Sequence, residues 1–118
     1  MILVDTSVWI DHFRSADPRL TDLLLDGQVM GHAFVAGELA CGNLRRRADV
    51  IALLAALPQL SVLGSEDAMR FIDAHRLMGR GLGWVDIHLL AAVSASGKRL
   101  WTRDRRLAEA AHRIGVAA

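Results

Sequence analysis

The chain has 118 residues, the size of one ordinary globular domain, and we expect a single domain over residues 1–118. Hydrophobic residues make up 53% of the sequence and charged residues 23%, a composition that excludes an intrinsically disordered chain. The net charge of +1 excludes a strongly basic nucleic-acid coat, but it does not exclude nucleic-acid binding, because the placement of charge matters more than its sum.

Short apolar runs alternate with longer helical patterns along the chain. The run Ile2–Val4, which ends at Asp5, is typical of a buried parallel strand. Asp17 followed by Pro18 is a typical helix start, with the helix ending before Gly27. Further elements are predicted as a strand over 28–32, helices over 34–44 and 48–57, a strand or link over 60–63, a helix over 65–78 capped by Ser65, a glycine-rich turn over 79–83, a helix over 84–96 closed by Gly97, a strand over 99–102 and a helix from Asp104 to Gly115. This alternation favours an α/β fold with a small, mainly parallel sheet flanked by helices.

The sequence carries no signal for a membrane or for secretion. Its N-terminus has no basic stretch and places a carboxylate at position 5, and its longest uncharged stretch, residues 50–65, is broken by Pro58. Cys41 is the one cysteine, so it has no partner within the chain for a disulfide. We therefore expect a cytoplasmic protein with no membrane contact.

Four carboxylates stand where a site can form. Asp5 ends the first predicted strand and Asp104 lies just beyond the last one, and sites in open parallel sheets form at these carboxyl ends. Asp86 lies in the first turn of a helix, and Glu38 is the one acid in an apolar, small-residue helix. Such a cluster repels itself unless a cation neutralises it. Oxygen ligands of this kind suit Mg²⁺ or Mn²⁺, which can activate water for a phosphoryl displacement.

Each acid also has a purely structural interpretation. Asp5 and Asp104 are suitable helix N-caps, and Asp86 complements the dipole of its helix. Glu38 could occupy one solvent-facing helical position. We expect Trp9, Trp101 and His88 to pack, although either tryptophan could stack on a base. Cys41 is expected to be a small packing residue near Glu38.

Four segments in register resemble the successive motifs of the PIN domain, and more narrowly those of the VapC toxins of bacterial VapBC toxin–antitoxin pairs. They are residues 2–11 (ILVDTSVWID), 37–42 (GELACG), 83–92 (GWVDIHLLAA) and 100–104 (LWTRD). The resemblance runs in order over nearly the whole chain and implies a PIN-like three-layer α/β fold.

The resemblance also implies roles for particular residues. Asp5, Glu38, Asp86 and Asp104 fall on the acidic positions of the family, which bind Mg²⁺ or Mn²⁺ and activate water for RNA hydrolysis. Thr6 and Thr102 match hydroxyl positions that orient these carboxylates. By the same resemblance, the chain is a metal-dependent endoribonuclease toxin, held inactive by a VapB-type antitoxin and paired as a homodimer.

Two groups of arginines flank the acids in sequence. Arg45 and Arg46, together with Arg103 and Arg105, are candidates for binding RNA phosphates. The alternatives are solvated helix ends, or ion pairs with acidic residues of an antitoxin.

Two other functions compete with catalysis. The chain could be a non-catalytic PIN-like subunit that only binds a partner. A receiver-like phosphoacceptor is disfavoured, because Asp5 is followed by Thr6 rather than a second acid and Lys98 precedes its strand.

Overall fold

A computed structural model describes all of residues 1–118. In chain order the elements are β1 (Ile2–Val4), α1 (Thr6–Arg14), α2 (Pro18–Leu25), β2 (Val29–His32), α3 (Ala33–Ala40), α4 (Arg47–Ala56), β3 (Gln59–Leu60), α5 (Ser65–His75), α6 (Trp84–Ser96), β4 (Arg99–Trp101) and α7 (Arg105–Arg113). None of the seven helices has the length and apolar character that a bilayer crossing requires.

The four strands form one sheet in the order β3-β2-β1-β4, and every pairing is parallel. Leu3 of β1 is in register with Met30 of β2 on one side and with Leu100 of β4 on the other. Leu3 and Val4 point to opposite faces, and both are completely buried, so β1 is covered on both faces. The predicted α/β fold with a small parallel sheet is confirmed.

The strand order determines where a crevice opens. Helices α1 to α4 connect β1, β2 and β3 in one direction, whereas α5 and α6 return the chain across the sheet to β4. Right-handed crossovers therefore place these two helix groups on opposite faces. In agreement, α1 packs on α3 and α3 on α4, while α5 packs on α6. The direction changes between β1 and β4, and ligands of such sheets bind at this switch point.

Helix α1 was not among the predicted elements. Its residues include the β-branched Thr6, Val8 and Ile10, which favour a helix only weakly. The helix begins because the Asp5 side chain accepts a hydrogen bond from the Ser7 N–H, and burial of Val8 and Trp9 stabilises it. Tertiary packing and a cap thus decide this element rather than helix propensity.

Several predicted boundaries need correction. The helix over 34–44 ends at Ala40, and the helix over 65–78 ends at His75, where Arg76 adopts a left-handed conformation with φ of 52°. Ser65 is not a cap, because Gly64 holds that position and Ser65 is already helical. By contrast, the boundaries predicted for α6 are confirmed, with Gly97 at a φ of 68° ending the helix.

Helix α6 is the most deeply packed helix of the chain. All of Ile87–Val93 is buried, and the helix contacts α5, β3 and β4. Because its middle is fixed in the core, its N-terminus is held at a defined place, and that end carries Asp86.

Candidate active site

Asp5 lies at the carboxyl end of the central strand β1 and is itself buried. Its N–H donates to the Trp101 carbonyl at 2.9 Å, which extends the pairing of β1 with β4. Its Oδ2 accepts hydrogen bonds from the hydroxyls of Ser7 at 2.7 Å and Thr102 at 2.8 Å. Its Oδ1 accepts none within the chain. One oxygen therefore anchors the carboxylate and the other is free to bind a ligand.

Thr102 joins the ends of β1 and β4. While its hydroxyl donates to Asp5, it accepts from the Asp104 N–H at 3.0 Å. Asp104 in turn caps α7, because its Oδ1 accepts from the Leu107 N–H at 3.0 Å. The capping role and the site role of Asp104 are thus compatible, since its second oxygen takes no part in the cap.

Asp86 is held at the N-terminus of α6, where its Oδ2 accepts from the Gly83 N–H at 2.9 Å. Burial raises the pKa of Asp86; the Gly83 N–H opposes this rise, and the negative charges of Asp5 and Asp104 add to it. The carboxylates of Asp5 and Asp104, which come from two other parts of the chain, are therefore close enough for their charges to act on Asp86.

Glu38 is an exposed residue of α3 that is joined to the same region by α1. The hydroxyl of Thr6, the residue directly after Asp5, donates to Glu38 Oε1 at 2.7 Å. Glu38 is not among the charges that raise the pKa of Asp86. Thr6 therefore links Glu38 to the end of β1, directly after Asp5.

The donor set fits a hard divalent cation that keeps part of its water shell. All four acids and both threonines offer oxygen, and Oδ1 of Asp5 accepts no hydrogen bond within the chain. No group of three or more Asp, Glu, His or Cys side chains is arranged so that it could hold a metal ion by itself. Mg²⁺ is commonly bound through one or two carboxylates with water and phosphate completing its shell, so an incomplete cage suits it.

Ser7 is a site residue that the sequence analysis missed. Its hydroxyl donates to Asp5 Oδ2 and accepts from the Arg103 N–H at 3.0 Å. The available signal was the serine two positions after a strand-ending aspartate, a spacing at which side chain and backbone often bond locally. Ser7 and Thr102 together hold Asp5 from both sides.

The four predicted phosphate-binding arginines divide into two places. Arg45 and Arg46 line a cavity of about 870 Å³ next to Glu38, and Arg46 pairs with Asp49 at 2.9 Å. Arg103 and Arg105 flank Asp104 along the chain.

Arg103 is the most constrained of these four arginines. It pairs with Asp11 at 2.7 Å and with Asp17, and these hydrogen bonds raise its pKa although partial desolvation opposes them. Arg105 makes only a long contact of 3.5 Å with Glu109. Arg103 thus links Asp11 of α1 and the start of α2 to the segment that follows β4. The guanidinium of Arg105 remains exposed to solvent.

The aromatic and sulfur residues distribute unevenly between core and surface. Trp9 and His88 are buried, as expected, and Trp101 is half-buried beneath the guanidinium of Arg19, 4.3 Å from the ring centre. Cys41 is exposed, so the expectation that it packs is wrong; it is the C-cap of α3, beyond the last helical residue, Ala40.

Two histidines, His32 and His88, are buried in the interior. The Nδ1 of His32 accepts from the Phe34 N–H at 3.0 Å and caps α3, while its Nε2 is buried without a partner. Burial lowers the pKa of His32, and the neighbouring His88 lowers it further. Both rings are therefore part of the packed interior rather than ligands of the site.

Comparison with known proteins identifies several that are similar to this chain. A family model of the PIN domain matches residues 2–113. Ribonuclease VapC32 of Mycobacterium tuberculosis, from strains H37Rv and CDC 1551, is 50% identical over 118 residues, covering 99% of this chain and 95% of the relative. The crystal structure of PAE2754 from Pyrobaculum aerophilum superposes with a TM-score of 0.70 at 17% identity, covering 99% of this chain and 87% of that one. That last likeness concerns the fold alone.

Proposed function

Because this chain belongs to the PIN-domain family and, within it, to the VapC ribonucleases, we propose that it is the toxin of a VapBC-type pair, a metal-dependent endoribonuclease that hydrolyses RNA phosphodiester bonds. The observation that carries this proposal is the shared field of Asp5, Asp86 and Asp104 at the switch point of the sheet. The alternative of a non-catalytic subunit is not favoured, since the relative of 50% identity is named a ribonuclease.

We propose that the bound cation is Mg²⁺ or Mn²⁺ and that Asp5 and Asp86 are its main ligands. Glu38 would reach it directly or through water, and Asp104 would complete the site. When bound, such a cation supplies positive charge at the attacking and leaving oxygens and lowers the pKa of a coordinated water.

The chain's own residues hold this site ready. Ser7 and Thr102 fix one oxygen of Asp5 and leave the other free, Thr6 fixes Glu38, and the Gly83 N–H fixes Asp86. In the hydrolysis, a water oxygen forms a bond to phosphorus while one phosphodiester P–O bond breaks, and a proton of that water passes to the leaving oxygen. Positioned carboxylates are needed because a misplacement of about 1 Å can lower the rate about 10²-fold.

The decisive experiment measures cleavage of RNA by the purified protein with Mg²⁺, with Mn²⁺ and with a chelator. We expect cleavage only with metal, and a loss on the order of 10³-fold in Asp5→Asn and in Asp86→Asn. Asp73→Asn is the matched control, because Asp73 is an exposed carboxylate on α5 without an ion pair. Metal-independent cleavage, or full activity in both site variants, would contradict the proposal.

We propose that the solvated arginines bind RNA phosphates. Arg45 and Arg105 have weak or no internal partners, and the exposed pair of Arg46 with Asp49 contributes little stability, so it can be exchanged for a phosphate. Arg103 is included in this proposal, but its two carboxylate partners leave it the least available of the four.

We propose that the antitoxin docks in the cavity beside Glu38. Ile10 and Leu53 are among its apolar lining residues, and its charged lining has more arginines than acids: Arg14, Arg45 and Arg46 against Glu38 and Asp49. This combination is complementary to an amphipathic segment with acidic residues. Leu53→Asp is expected to weaken capture of the cognate antitoxin and leave free-toxin cleavage unchanged. Unaltered capture would place the antitoxin elsewhere.

The remaining parts of the proposal concern assembly and location. We propose that residues 1–118 act as one PIN domain, that two copies pair as a homodimer, and that the protein works in the cytoplasm, where its RNA substrate lies. The exposed, unpaired thiol of Cys41 suits such a reducing compartment. Sedimentation equilibrium of the free toxin tests the dimer, and a monomer at micromolar concentration would contradict it.

A further inference from the structure

The guanidinium of Arg103 is held between two carboxylates from different helices. Its Nη1 donates to Asp11 of α1 at 2.7 Å, and its Nη2 donates to Asp17, the N-cap of α2. Its Cζ also lies 5.8 Å from the centre of the Trp101 ring, which is within the range of a cation–π contact. Both terminal nitrogens are thus occupied, and the side chain is restrained although 37% of it is accessible.

Asp17 is itself a fixed partner for this arginine. Its Oδ1 accepts from the Leu20 N–H at 3.0 Å, while its Oδ2 accepts from Arg103. The N–H of Asp17 donates to Nδ1 of His12 at 2.9 Å, and only 16% of the Asp17 side chain is accessible. Arg103 is therefore tied to a well-defined point where α1 and α2 meet.

The backbone beside this arginine holds the central carboxylate of the site. The N–H of Arg103 donates to Ser7 Oγ at 3.0 Å. The N–H of the next residue, Asp104, donates to Thr102 Oγ1 at 3.0 Å. Both hydroxyls in turn donate to Asp5 Oδ2, at 2.7 Å and 2.8 Å. Because each hydroxyl oxygen accepts from a backbone N–H, its own proton is left to point at Asp5.

These two peptide groups belong to a short connection, residues 102–104, which lies between β4 and α7 and has no regular secondary structure. The Arg103 side chain ties this connection to Asp11 and Asp17, which precede it by 92 and 86 positions. Loss of the tie would leave the connection to its two ends and to the hydroxyl hydrogen bonds. The arginine bridge therefore adds a long-range restraint to the segment that directs Asp5.

We propose that Arg103 is a positioning residue for Asp5. Its bridge to Asp11 and Asp17 holds the 102–104 connection in place, and that connection aims the Ser7 and Thr102 hydroxyls at the carboxylate. The proposal rests on the proposed ribonuclease function, in which Asp5 binds the cation. Positioning competes with phosphate binding by Arg103, because the same two nitrogens would serve both. The two roles predict different results when a carboxylate partner is removed.

The test compares the Kd for Mn²⁺ alone, measured by calorimetry on the full chain, with kcat and KM for RNA cleavage. Arg103→Ala is expected to weaken Mn²⁺ binding and lower kcat about 10- to 100-fold, with KM unchanged. Asp11→Ala is expected to lie at the lower end of that range, about 10-fold, because Asp17 still holds the guanidinium. Arg103→Lys restores only part of the loss, because an ammonium lacks the planar fork that spans both carboxylates.

Matched variants separate the bridge from general effects of charge. Asp67→Ala removes the carboxylate of another exposed ion pair, with Arg70 of α5 at 2.6 Å, and changes the net charge as Asp11→Ala does. It is expected to leave Mn²⁺ binding and kcat unchanged. Asp11→Asn keeps an oxygen that can accept from Arg103 and is expected to regain most of the affinity. Thermal melts check that each variant is folded, and Asp11→Ala with Arg103→Lys decide the question if Arg103→Ala does not fold.

Two outcomes would overturn the positioning role and leave the ribonuclease standing. In the first, Arg103→Ala and Asp11→Ala bind Mn²⁺ and cleave RNA as the parent does. In the second, Mn²⁺ binding is unchanged while KM rises in Arg103→Ala and falls in Asp11→Ala, which would make Arg103 a phosphate ligand. A wild type that binds Mn²⁺ but cleaves no RNA, with Mn²⁺ binding weakened in Arg103→Ala, would refute the ribonuclease and support the positioning of Asp5. A wild type that neither binds Mn²⁺ nor cleaves RNA would refute both.

Discussion

The hydroxyl of Thr102 provides a direct test of how the site is held. Thr102→Val keeps the shape of the side chain but removes the bond to Asp5 Oδ2 and the acceptor for the Asp104 N–H. Ser7 still donates to Asp5 in this variant, so the carboxylate keeps one of its two hydroxyl donors. The expected consequence is a site that forms but is poorly aligned.

The expected loss of stability follows from the two hydrogen bonds that Thr102→Val removes. A hydrogen bond to a charged group contributes about 1.5–3 kcal/mol, and the exposed Asp104 N–H can be hydrated at little cost, so the loss is about 2 kcal/mol. For 118 residues the entropy of unfolding is about 0.25 kcal/mol per kelvin, and Tm is therefore expected to fall by about 8 °C. Residues that orient metal ligands typically change activity by about 10- to 100-fold.

Thermal unfolding by circular dichroism and RNA cleavage at saturating Mn²⁺ check these values. Thr102→Ser is the matched variant, because it restores the hydroxyl and lacks only a methyl group. We expect it to regain most of the Tm and the activity. If Thr102→Val stays within 2 °C and twofold of the parent, or if Thr102→Ser is equally impaired, the hydroxyl does not orient Asp5 and the reasoning is refuted.

Three further predictions concern charge, pH and packing. Asp86→Asn is expected to raise Tm in metal-free buffer at pH 7. The raised pKa of Asp86 means that its ionised carboxylate destabilises the fold above the ordinary pKa, whereas the amide oxygen still accepts from Gly83. Mn²⁺ should then raise the Tm of the parent but not of the variant, and equal responses in differential scanning fluorimetry would contradict this. The lowered pKa of His32 implies stability that is complete above its ordinary pKa of about 6.5 and decreases as the pH falls, by at most about 1.4 kcal/mol per pH unit. His32→Asn, which can still cap α3, should flatten the decline of urea-unfolding free energy between pH 7 and 5, and an unchanged slope would assign that decline to other groups. Leu90→Ala opens a cavity in a fully buried part of α6 and is expected to cost about 2–5 kcal/mol in chemical denaturation, so a loss below 1 kcal/mol would show that the core relaxes around it.

The sequence predicted those parts of the fold that depend on local signals. Asp17 with Pro18 and Gly97 are strong helix start and stop signals, and both hold in the structure. The apolar run Ile2–Val4 predicted the central strand. Helix α1 escaped prediction because its stability comes from the Asp5 cap and buried Trp9, which are contacts that exist only once the chain is folded.

The site shows the same division between local and long-range information. The four acids were identified in advance from their places at predicted strand ends and on predicted helices, and the hydroxyls of Thr6 and Thr102 through the family motifs. Their assigned roles remain predictions, although each of these hydroxyls does donate to a carboxylate. The pairing of Arg103 with Asp11 and Asp17 was not foreseen, because it joins residues 92 and 86 positions apart and no local pattern encodes such a contact.

The bond between Asp5 and Thr102 joins residues 97 positions apart, across the first and last strands of the chain. During synthesis, Asp5 therefore exists long before its partner does, and at about 5–20 residues per second the interval is roughly 5–20 s. Throughout that time the nascent chain lacks β4, so Asp5 has neither its Thr102 donor nor Asp104 beside it. A ribosome-bound chain stalled before Arg99 is accordingly expected to cleave no RNA. The order of strands delays the appearance of a harmful activity until translation of the sheet is complete.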